Sequence, residues 1–510
     1  MSESGVLVGG SVLFVGGRML GSRDVVDVLV RDGQVVAIGP NLSVEHAVPA
    51  LAIERVELGG RTVMRGLRDA HVHFSQWALE RQRLDVSGAD SAAGTAALVV
   101  DRLRAAPLDP ASTLVGSGFR DGLWREAPSA TLLDAALREA GAPDAAVVLV
   151  SADWHTAWLS SAALERYGVG GHPTGVLTDS AWFAISEAVS TVPAPTLDRW
   201  VDDAVRAAAA RGVVAVVDYE LADNLAVWRR RIAAGTDGLR VAASTWPDYL
   251  DRAVVEELAT GDVVVGTGGL LTMGPLKVIS DGSLNTRTAY CHDPYPGLEG
   301  TPESHGAMAV PPEQLVRLMA KATRHGLACA IHAIGDHANA LVLDAFKATG
   351  AHGSIEHAQL LAPDDVARFV ALGVVASVQP EHAMDDRDVA DRHWAGRTGR
   401  AFVFADLVAA GVQLVLGSDA PVSPLDPWLG IASAVHRARD GREPWHPEQA
   451  IGLDVALAAS TGGRAQVEVG DVADLAILDV DPHEADAATL RSMPVSGTLL
   501  GGRWTWRTLP

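Results

Sequence analysis

Residues 67–73 read Leu-Arg-Asp-Ala-His-Val-His, and they join an apolar run to a pair of histidines. The run, Val63–Asp69, is typical of a β-strand, and His71 and His73 follow it directly. In an extended segment residues i and i+2 point to the same side, so two imidazoles at this spacing can bind one metal ion. A pair of partly buried histidines at a strand end would look the same, so the pair is weak evidence by itself.

Partners for the pair stand at the ends of later apolar runs. His332 ends one such run, His357 ends the next, and Asp419 ends the last. In a closed parallel barrel the carboxyl ends of the strands converge on one mouth, where active sites lie. Chance placement of four histidines and an aspartate at four such ends is improbable. The sequence therefore predicts a metal site.

The middle of the chain alternates strand and helix patterns. The eight strand candidates are Val63–Asp69, Val213–Asp218, Leu239–Ala243, Leu276–Ser280, Leu327–His332, Gly353–His357, Val374–Gln379 and Leu414–Asp419. Helical patterns separate the later ones, at Pro312–His325, His337–Thr349 and Pro363–Leu372. This alternation predicts an α/β fold, a (β/α)8 TIM-like barrel over residues 63–454.

The first two strand candidates stand far apart, which indicates an insertion. Residues from approximately 75 to 205 are too many for a single barrel crossover, so we expect them to form an inserted subdomain. Because this segment begins directly after His73, we also expect it to cover the active site.

Both ends of the chain are β-rich. Strand candidates are Val6–Val15, Val26–Val30, Val35–Ile38, Asp474–Leu478 and a hairpin within Ser496–Trp506. Asp32-Gly33 and Gly501-Gly502 stand where tight hairpin turns are expected. Residues 1–62 and 455–510 are therefore predicted to form one β-sandwich domain.

Composition limits the partners. The formal net charge of −22 disfavours binding to phosphate backbones and to anionic membranes, so we expect no nucleic-acid and no membrane partner. No apolar run approaches the roughly 18 to 20 residues of a membrane helix. No basic stretch precedes the first apolar segment, so we do not expect a secretory signal. The two cysteines, Cys291 and Cys329, fit a reduced cytoplasmic protein. A homodimer is left open.

Lys277 lies inside the fourth strand candidate, in Pro275-Leu276-Lys277-Val278-Ile279. Burial at a barrel mouth lowers the pKa of a lysine and exposes its neutral amine. A neutral amine can take up CO2 and give a carbamate, an oxygen ligand able to bridge two metal ions. The alternative is a buried lysine that pairs with Asp281 or Asp419.

Together these residues resemble the amidohydrolase superfamily, and within it the branch that includes N-substituted formamide deformylases (amidohydrolase family 3). The motifs are Asp69-Ala70-His71-Val72-His73, Lys277-(x)3-Asp281-Gly282-Ser283-Leu284-(x)2-Arg287-Thr288-Ala289, His332-Ala333-Ile334-Gly335-Asp336, Glu356-His357-Ala358 and Gly417-Ser418-Asp419-Ala420-Pro421-Val422. The likeness covers nearly the whole chain. Two departures concern the substrate: Arg65-Gly66-Leu67-Arg68 replaces a usual Pro-Gly, and Asn285-Thr286 replaces a usual Gly-Ser.

The resemblance implies two divalent metal ions, with zinc favoured. The implied ligands are His71, His73 and Asp419 for one ion and His332 and His357 for the other. Carboxylated Lys277 and a hydroxide would bridge the two ions. The bridging hydroxide would be the nucleophile and Asp419 the general acid/base.

The leading function is hydrolysis of a C–N bond, other than a peptide bond, in a small-molecule amide such as an N-substituted formamide. Cyclic amides, carbamates and N-acyl amino acids are an alternative substrate group. A mononuclear deaminase is a further alternative, against which Lys277 counts, since such enzymes usually lack it. A metal-binding protein without catalysis is the alternative from another class, and the presence of Asp419 together with every expected ligand counts against it.

Further polar and aromatic residues lie in the insertion or in loops after strands, where they would contact a substrate. They are Trp154, His155, Trp158, Arg287, Gln379, His382 and Trp394. Indole walls suit an apolar substituent of a substrate. Packing of the tryptophans and ordinary loop polarity are the alternatives.

Overall fold

The computed structural model describes residues 11–42, 53–119, 121, 124–151 and 156–509. The chain divides into two compact units. One unit consists of residues 1–77 and 202–510, and the other of residues 78–201.

The larger unit contains a parallel barrel. In the described part of the chain its strands, in order, are Leu67–Val72, Val213–Asp218, Arg240–Thr245, Leu271–Ile279, Cys329–Ala333, Gly353–His357, Val375–Val378 and Leu414–Leu416. A parallel bridge from Val72 to Ala420 brings the first strand beside the segment that follows the last, so the eight-stranded sheet is nearly closed. The predicted α/β barrel is confirmed.

The first barrel strand begins at Leu67, and the predicted start at Val63 was wrong. Thr62–Arg65 is a separate strand that pairs antiparallel with Leu475–Leu478 of the terminal sheet. Gly66 stands between the two strands, and a Cβ at that position would lie 2.4 Å from a methyl carbon of Val214. The chain thus passes from the terminal sheet to the barrel at Gly66. In the sequence, the two strands on either side of this glycine look like one continuous apolar run.

Helices follow the barrel strands. The α-helices of the larger unit are Asn224–Ala233, Leu250–Val255, Pro312–Arg324, Asp336–Thr349, Pro363–Leu372, Pro380–Asp385, Arg387–His393, Phe404–Ala410, Pro427–His436, Leu453–Ala459 and Ala487–Arg491, and Phe74–Glu80 and Ala194–Ala209 cross the boundaries of the units. Short 3-10 turns occur at Pro247–Tyr249, Thr398–Arg400 and Pro447–Gln449. The three helices predicted from periodicity are found within a residue of their predicted bounds. None of the helices in the described ranges is long and apolar enough to cross a membrane.

Both termini contribute to one mixed sheet. Its strands, within the described residues, are Val12–Met19, Val25–Arg31, Gln34–Gly39, Glu54–Glu57, Thr62–Arg65, Leu475–Leu478, Val495–Leu500 and Arg503–Arg507. The predicted hairpin turns occur, because Asp32-Gly33 and Gly501-Gly502 each have two successive positive φ angles. Of the predicted strand Val6–Val15, residues 6–10 lie outside the described residues.

The smaller unit has its own sheet and cores. Its strands, within the described residues, are Leu84–Asp85, Thr113–Phe119, Ala146–Ser151, Thr156–Leu159 and Val176–Thr178, and its helices include Ala92–Ala105, Ala130–Glu139, Ser161–Arg166 and Asp179–Ser190. Serine side chains cap three of these helices at Ser91, Ser129 and Ser160. The insertion therefore has the secondary structure and buried core of a folded subdomain.

Ile477→Ala should destabilise the sheet built from both termini. Ile477 is fully buried with Phe14 and Leu499, so truncation leaves a cavity that costs about 2–5 kcal/mol. The matched control is Val25→Ala in the same sheet, where the valine is 57% exposed and the change costs less than about 1 kcal/mol. Thermal unfolding measures both, and equal shifts in Tm would contradict a shared core.

Candidate metal centre

The six predicted ligands meet at the carboxyl ends of the barrel strands. Asp419 Oδ1 lies 3.5 Å from His71 Nε2 and 3.4 Å from His73 Nε2. Ligand atoms of His71, His357 and Asp419 lie within 4.8 Å of one another. One carboxylate oxygen thus faces two imidazoles, and a third imidazole stands within reach of the same point.

His332 and Lys277 complete the cluster. The ring of His332 lies 4.5 Å from the ring of His357, between centroids. Lys277 is 1% exposed, and its Nζ lies 4.5 Å from the centre of the Tyr219 ring. Tyr219 in turn lies 4.5 Å from His71, between ring centroids. The fourth and fifth strands therefore bring their predicted ligands to the same mouth.

Two of the predicted ligand residues have strained backbones. His357 has φ 75° and Asp419 has φ 57°, in the left-handed region that side chains other than glycine rarely adopt. Such conformations cost about 1–3 kcal/mol each and persist where surrounding contacts enforce them. They turn the chain sharply where the strands end and help to bring His357 and Asp419 together.

Glu356 is a site residue that sequence reasoning missed. His71 Nδ1 donates to Glu356 Oε2 at 2.7 Å, and both side chains are buried. Tyr219 and Ser354 donate to the other carboxylate oxygen. A proton on Nδ1 leaves the Nε2 lone pair of His71 free to face Asp419, as a metal ligand requires. A glutamate inside an apolar strand was the available signal.

Two buried aspartates support the site through backbone hydrogen bonds that the sequence analysis did not predict. Asp281 was considered there only as a charge partner of Lys277. Asp69 Oδ1 accepts the backbone N–H of His71 at 3.1 Å and that of Ser418 at 2.9 Å, joining the first and last strand ends. Asp281 accepts the backbone N–H groups of Ile334 and Gly335 at 3.0 and 2.9 Å. Burial raises the pKa of Asp69 to about 6 and that of Asp281 to about 7.

Electrostatics favours the ligating forms of His71, His332 and Asp419, whereas, despite burial, Asp419 raises the pKa of His73. Burial, aided by the Lys277 charge, lowers the pKa of His71 to about 4 and that of His332 to about 3, so both imidazoles are neutral at pH 7. Burial opposes ionisation of Asp419, but the histidines around it outweigh burial and hold its pKa well below the usual range. Burial lowers the pKa of Lys277 to about 8.

The donor set fits a divalent cation. Within the described part of the chain, the buried atoms His357 Nδ1 and Lys277 Nζ have no hydrogen-bond partner. Buried polar groups without partners are rare and mark sites that a ligand completes. Zinc and similar metal ions bind neutral imidazoles, ionised carboxylates and nitrogen atoms that have no hydrogen-bond partner.

The predicted substrate contacts have mixed outcomes. Trp154 and His155 lie outside the described residues. Trp158 and Trp394 are fully buried, and Trp158 packs in a core of the smaller unit, so these two predictions were wrong: an indole without exposed surface packs and does not line a pocket. Apolar loop residues and core residues look alike in sequence.

The remaining candidates lie on loops and helices of the larger unit. Gln379 is buried, and its side-chain amide donates to Ser377 O at 3.5 Å. Arg287 is half-buried with φ 57°, on the loop after the fourth strand. His382 joins the cluster itself, since its Nε2 lies 3.9 Å from Asp419 Oδ2 and its ring stacks on His357 at 6.2 Å between centroids.

Comparisons with known proteins agree with this geometry. A family model described as the amidohydrolase family matches residues 54–505. The chain is 29% identical to protein LONG AFTER FAR-RED 3 of Arabidopsis thaliana, over 93% of this chain and 87% of that protein. It is 26% identical to the N-substituted formamide deformylase of Arthrobacter pascens, over 93% and 94%. A solved structure described as an uncharacterized metal-dependent hydrolase from Pyrococcus horikoshii OT3 aligns with TM-score 0.76 and 26% identity, over 94% and 99%.

Gly417→Ala should weaken metal binding without touching a ligand side chain. A Cβ at this position would lie 2.6 Å from the backbone nitrogen of His71 and 2.7 Å from its Cβ, so His71 must move. We expect metal affinity to fall at least about tenfold, as when support of a ligand is lost.

Gly452→Ala is the matched control, because a Cβ there meets nothing within 4 Å. Competition with a chromogenic chelator measures the affinity of both variants. Equal affinities for the two variants would show that the contact between Gly417 and His71 does not fix the ligand.

Proposed function

This chain belongs to the amidohydrolase family and is a hydrolase of carbon–nitrogen bonds, and we propose that its substrate is a linear amide, with an N-substituted formamide favoured. The observation that carries the proposal is the carboxylate of Asp419, which faces the candidate ligand histidines His71 and His73 with one oxygen and His382 with the other. The formamide deformylase of Arthrobacter pascens, similar along 93% of this chain, supports the substrate class.

Divalent metal use follows from the family, and the two-ion arrangement is part of the proposal. His71, His73 and Asp419 would hold one ion, and His332 and His357 would hold the other, with carboxylated Lys277 between them. When bound, the ions polarise the scissile carbonyl and lower the pKa of a water molecule. Zinc is the favoured metal, since imidazole and carboxylate ligands suit it.

The protein's own residues handle the proton. Asp419 is ionised, so it can accept a proton from the attacking water as the C–O bond forms. As the C–N bond breaks, the same carboxyl group returns that proton to the leaving nitrogen, and the amine departs. Glu356 holds His71 in one tautomer throughout, and Asp69 keeps the first and last strand ends in register.

Asp419→Asn should abolish hydrolysis while the fold remains. A positioned general acid/base contributes about 10^2 to 10^4-fold, and Asp419 also serves as a ligand, so we expect kcat to fall at least about 10^3-fold. The assay uses metal-replete protein with a panel of N-substituted formamides, N-acyl amino acids and lactams, with and without chelator. Retention of more than a tenth of wild-type activity would assign the proton transfer to another residue.

Lys277→Ala should lose both metal and activity, and short-chain carboxylic acids should restore part of each. Two dications repel each other, and a carbamate places negative charge where an ammonium would add positive charge. The buried amine with its pKa of about 8 is suited to take up CO2. Native mass measurement should show the added CO2, and elemental analysis should show two ions per chain.

The control for this variant is Lys321→Ala, which removes a lysine paired with Asp251 away from the cluster and should change neither metal content nor activity. An unmodified Lys277 in fully metallated, active enzyme would refute the carbamate. The lysine would then be a charge partner of the buried carboxylates.

A further inference from the structure

His382 has an unexplained buried nitrogen. The residue is 5% exposed, and its Nε2 is buried without a hydrogen-bond partner among the described residues. Leaving such a nitrogen unpaired is costly, and native proteins rarely do so outside sites that a ligand completes. The proposed ligand scheme does not use this histidine.

The helix that carries His382 is held rigidly. Glu381, the preceding residue, accepts from Arg439 at 2.8 Å and from Ser433 at 2.5 Å. Asp385, on the last turn, accepts from the same Arg439 and from Ser423. The helix Pro380–Asp385 is therefore held by one partly buried and one exposed ion pair to Arg439, and these contacts restrict the position of the imidazole beside Asp419.

The two oxygens of Asp419 face different groups. Oδ1 lies toward His71 and His73, on the side proposed for metal. Oδ2 lies 3.9 Å from His382 Nε2. That separation is too long for a good direct hydrogen bond, yet an atom between them can lie about 2.8–3.0 Å from both. One polar atom beside the line that joins them would therefore be within hydrogen-bonding distance of both groups.

We propose that this shared atom is the scissile amide nitrogen and that His382 accepts its N–H hydrogen bond, which makes the enzyme selective for N-monosubstituted amides. The inference rests on the proposed function, because it requires the leaving nitrogen to approach the oxygen of Asp419 that faces His382. An N,N-disubstituted amide has no N–H to offer and directs a carbon at His382, whose nitrogen stays unpaired.

The same contact orients the chemical step. When the N–H points at His382, the nitrogen lone pair that develops as the carbonyl carbon becomes tetrahedral can point at Asp419. The carboxyl proton then passes from Asp419 to that lone pair, the C–N bond breaks, and the amine leaves with its original N–H. His382 gains and loses no proton in this step.

The test compares a formanilide with its N-methyl derivative. A site built around a buried polar group rejects a substrate that leaves the group unpaired, so wild type should favour the N–H compound at least about tenfold in kcat/KM. His382→Ala should bring this ratio near one, mainly by slowing the N–H compound. His382→Asn, which keeps an acceptor, should restore part of the preference, and His325→Ala, at an exposed helix end, should leave the ratio unchanged.

A second measurement separates this role from metal ligation. His382→Ala should keep wild-type metal content, and calorimetry should show that it loses the preference for an N–H phosphonamidate over its N-methyl form. A wild-type ratio near one, an unchanged ratio in His382→Ala, or loss of metal from that variant would overturn the inference. Wild type that hydrolyses neither compound, nor any other amide, would overturn the proposed function as well.

Discussion

The backbone N–H of Asp419 donates to the carbonyl of His71 at 2.7 Å, and this bond ties the end of the last barrel strand to the end of the first. Asp69 reinforces the tie by accepting N–H groups from both ends. Gly417 permits it, because any side chain would collide with His71. The contacts that close the barrel therefore also position the candidate metal ligands, because His71 and Asp419 stand at the two edges of the sheet that meet.

Burial of so many ionisable side chains is energetically unfavourable, and their shifted pKa values show how burial and neighbouring charges act on each group. Desolvation lowers the pKa values of His71 and His332, whereas Asp419 raises the pKa of His73 despite burial. Burial also opposes ionisation of Asp419 and Glu356, but their neighbours hold the pKa values of both carboxyl groups below the usual range. Lys277 has no hydrogen-bond acceptor within the described residues. A buried ammonium without one is poorly stabilised, and although the charges of Glu356 and Asp419 favour the charged form, burial outweighs them and lowers the pKa of Lys277 to about 8.

The barrel and the clustering of the candidate ligands could be predicted from sequence because each depends on local chemistry. Apolar runs gave strands, and a polar residue at the end of such a run marked the mouth. The first strand was misplaced because Gly66 separates two strands that look continuous. Glu356 appeared in a motif without an assigned role, because a polar residue inside an apolar strand does not show that its partner, His71, lies 285 residues away. Trp158 and Trp394 were misassigned because an apolar ring gives the same signal in a core as in a pocket.

Different parts of the fold hold the candidate metal ligands and His382. The candidate ligands stand on barrel strands or within a few residues of their ends, so moving one of them disturbs the barrel itself. His382 stands on a short helix after the seventh strand, held by side-chain ion pairs through Arg439. Such pairs can be exchanged without altering the sheet. Substrate preference can therefore change through this helix while Asp419, bound to the first strand, keeps the same place in the hydrolytic step.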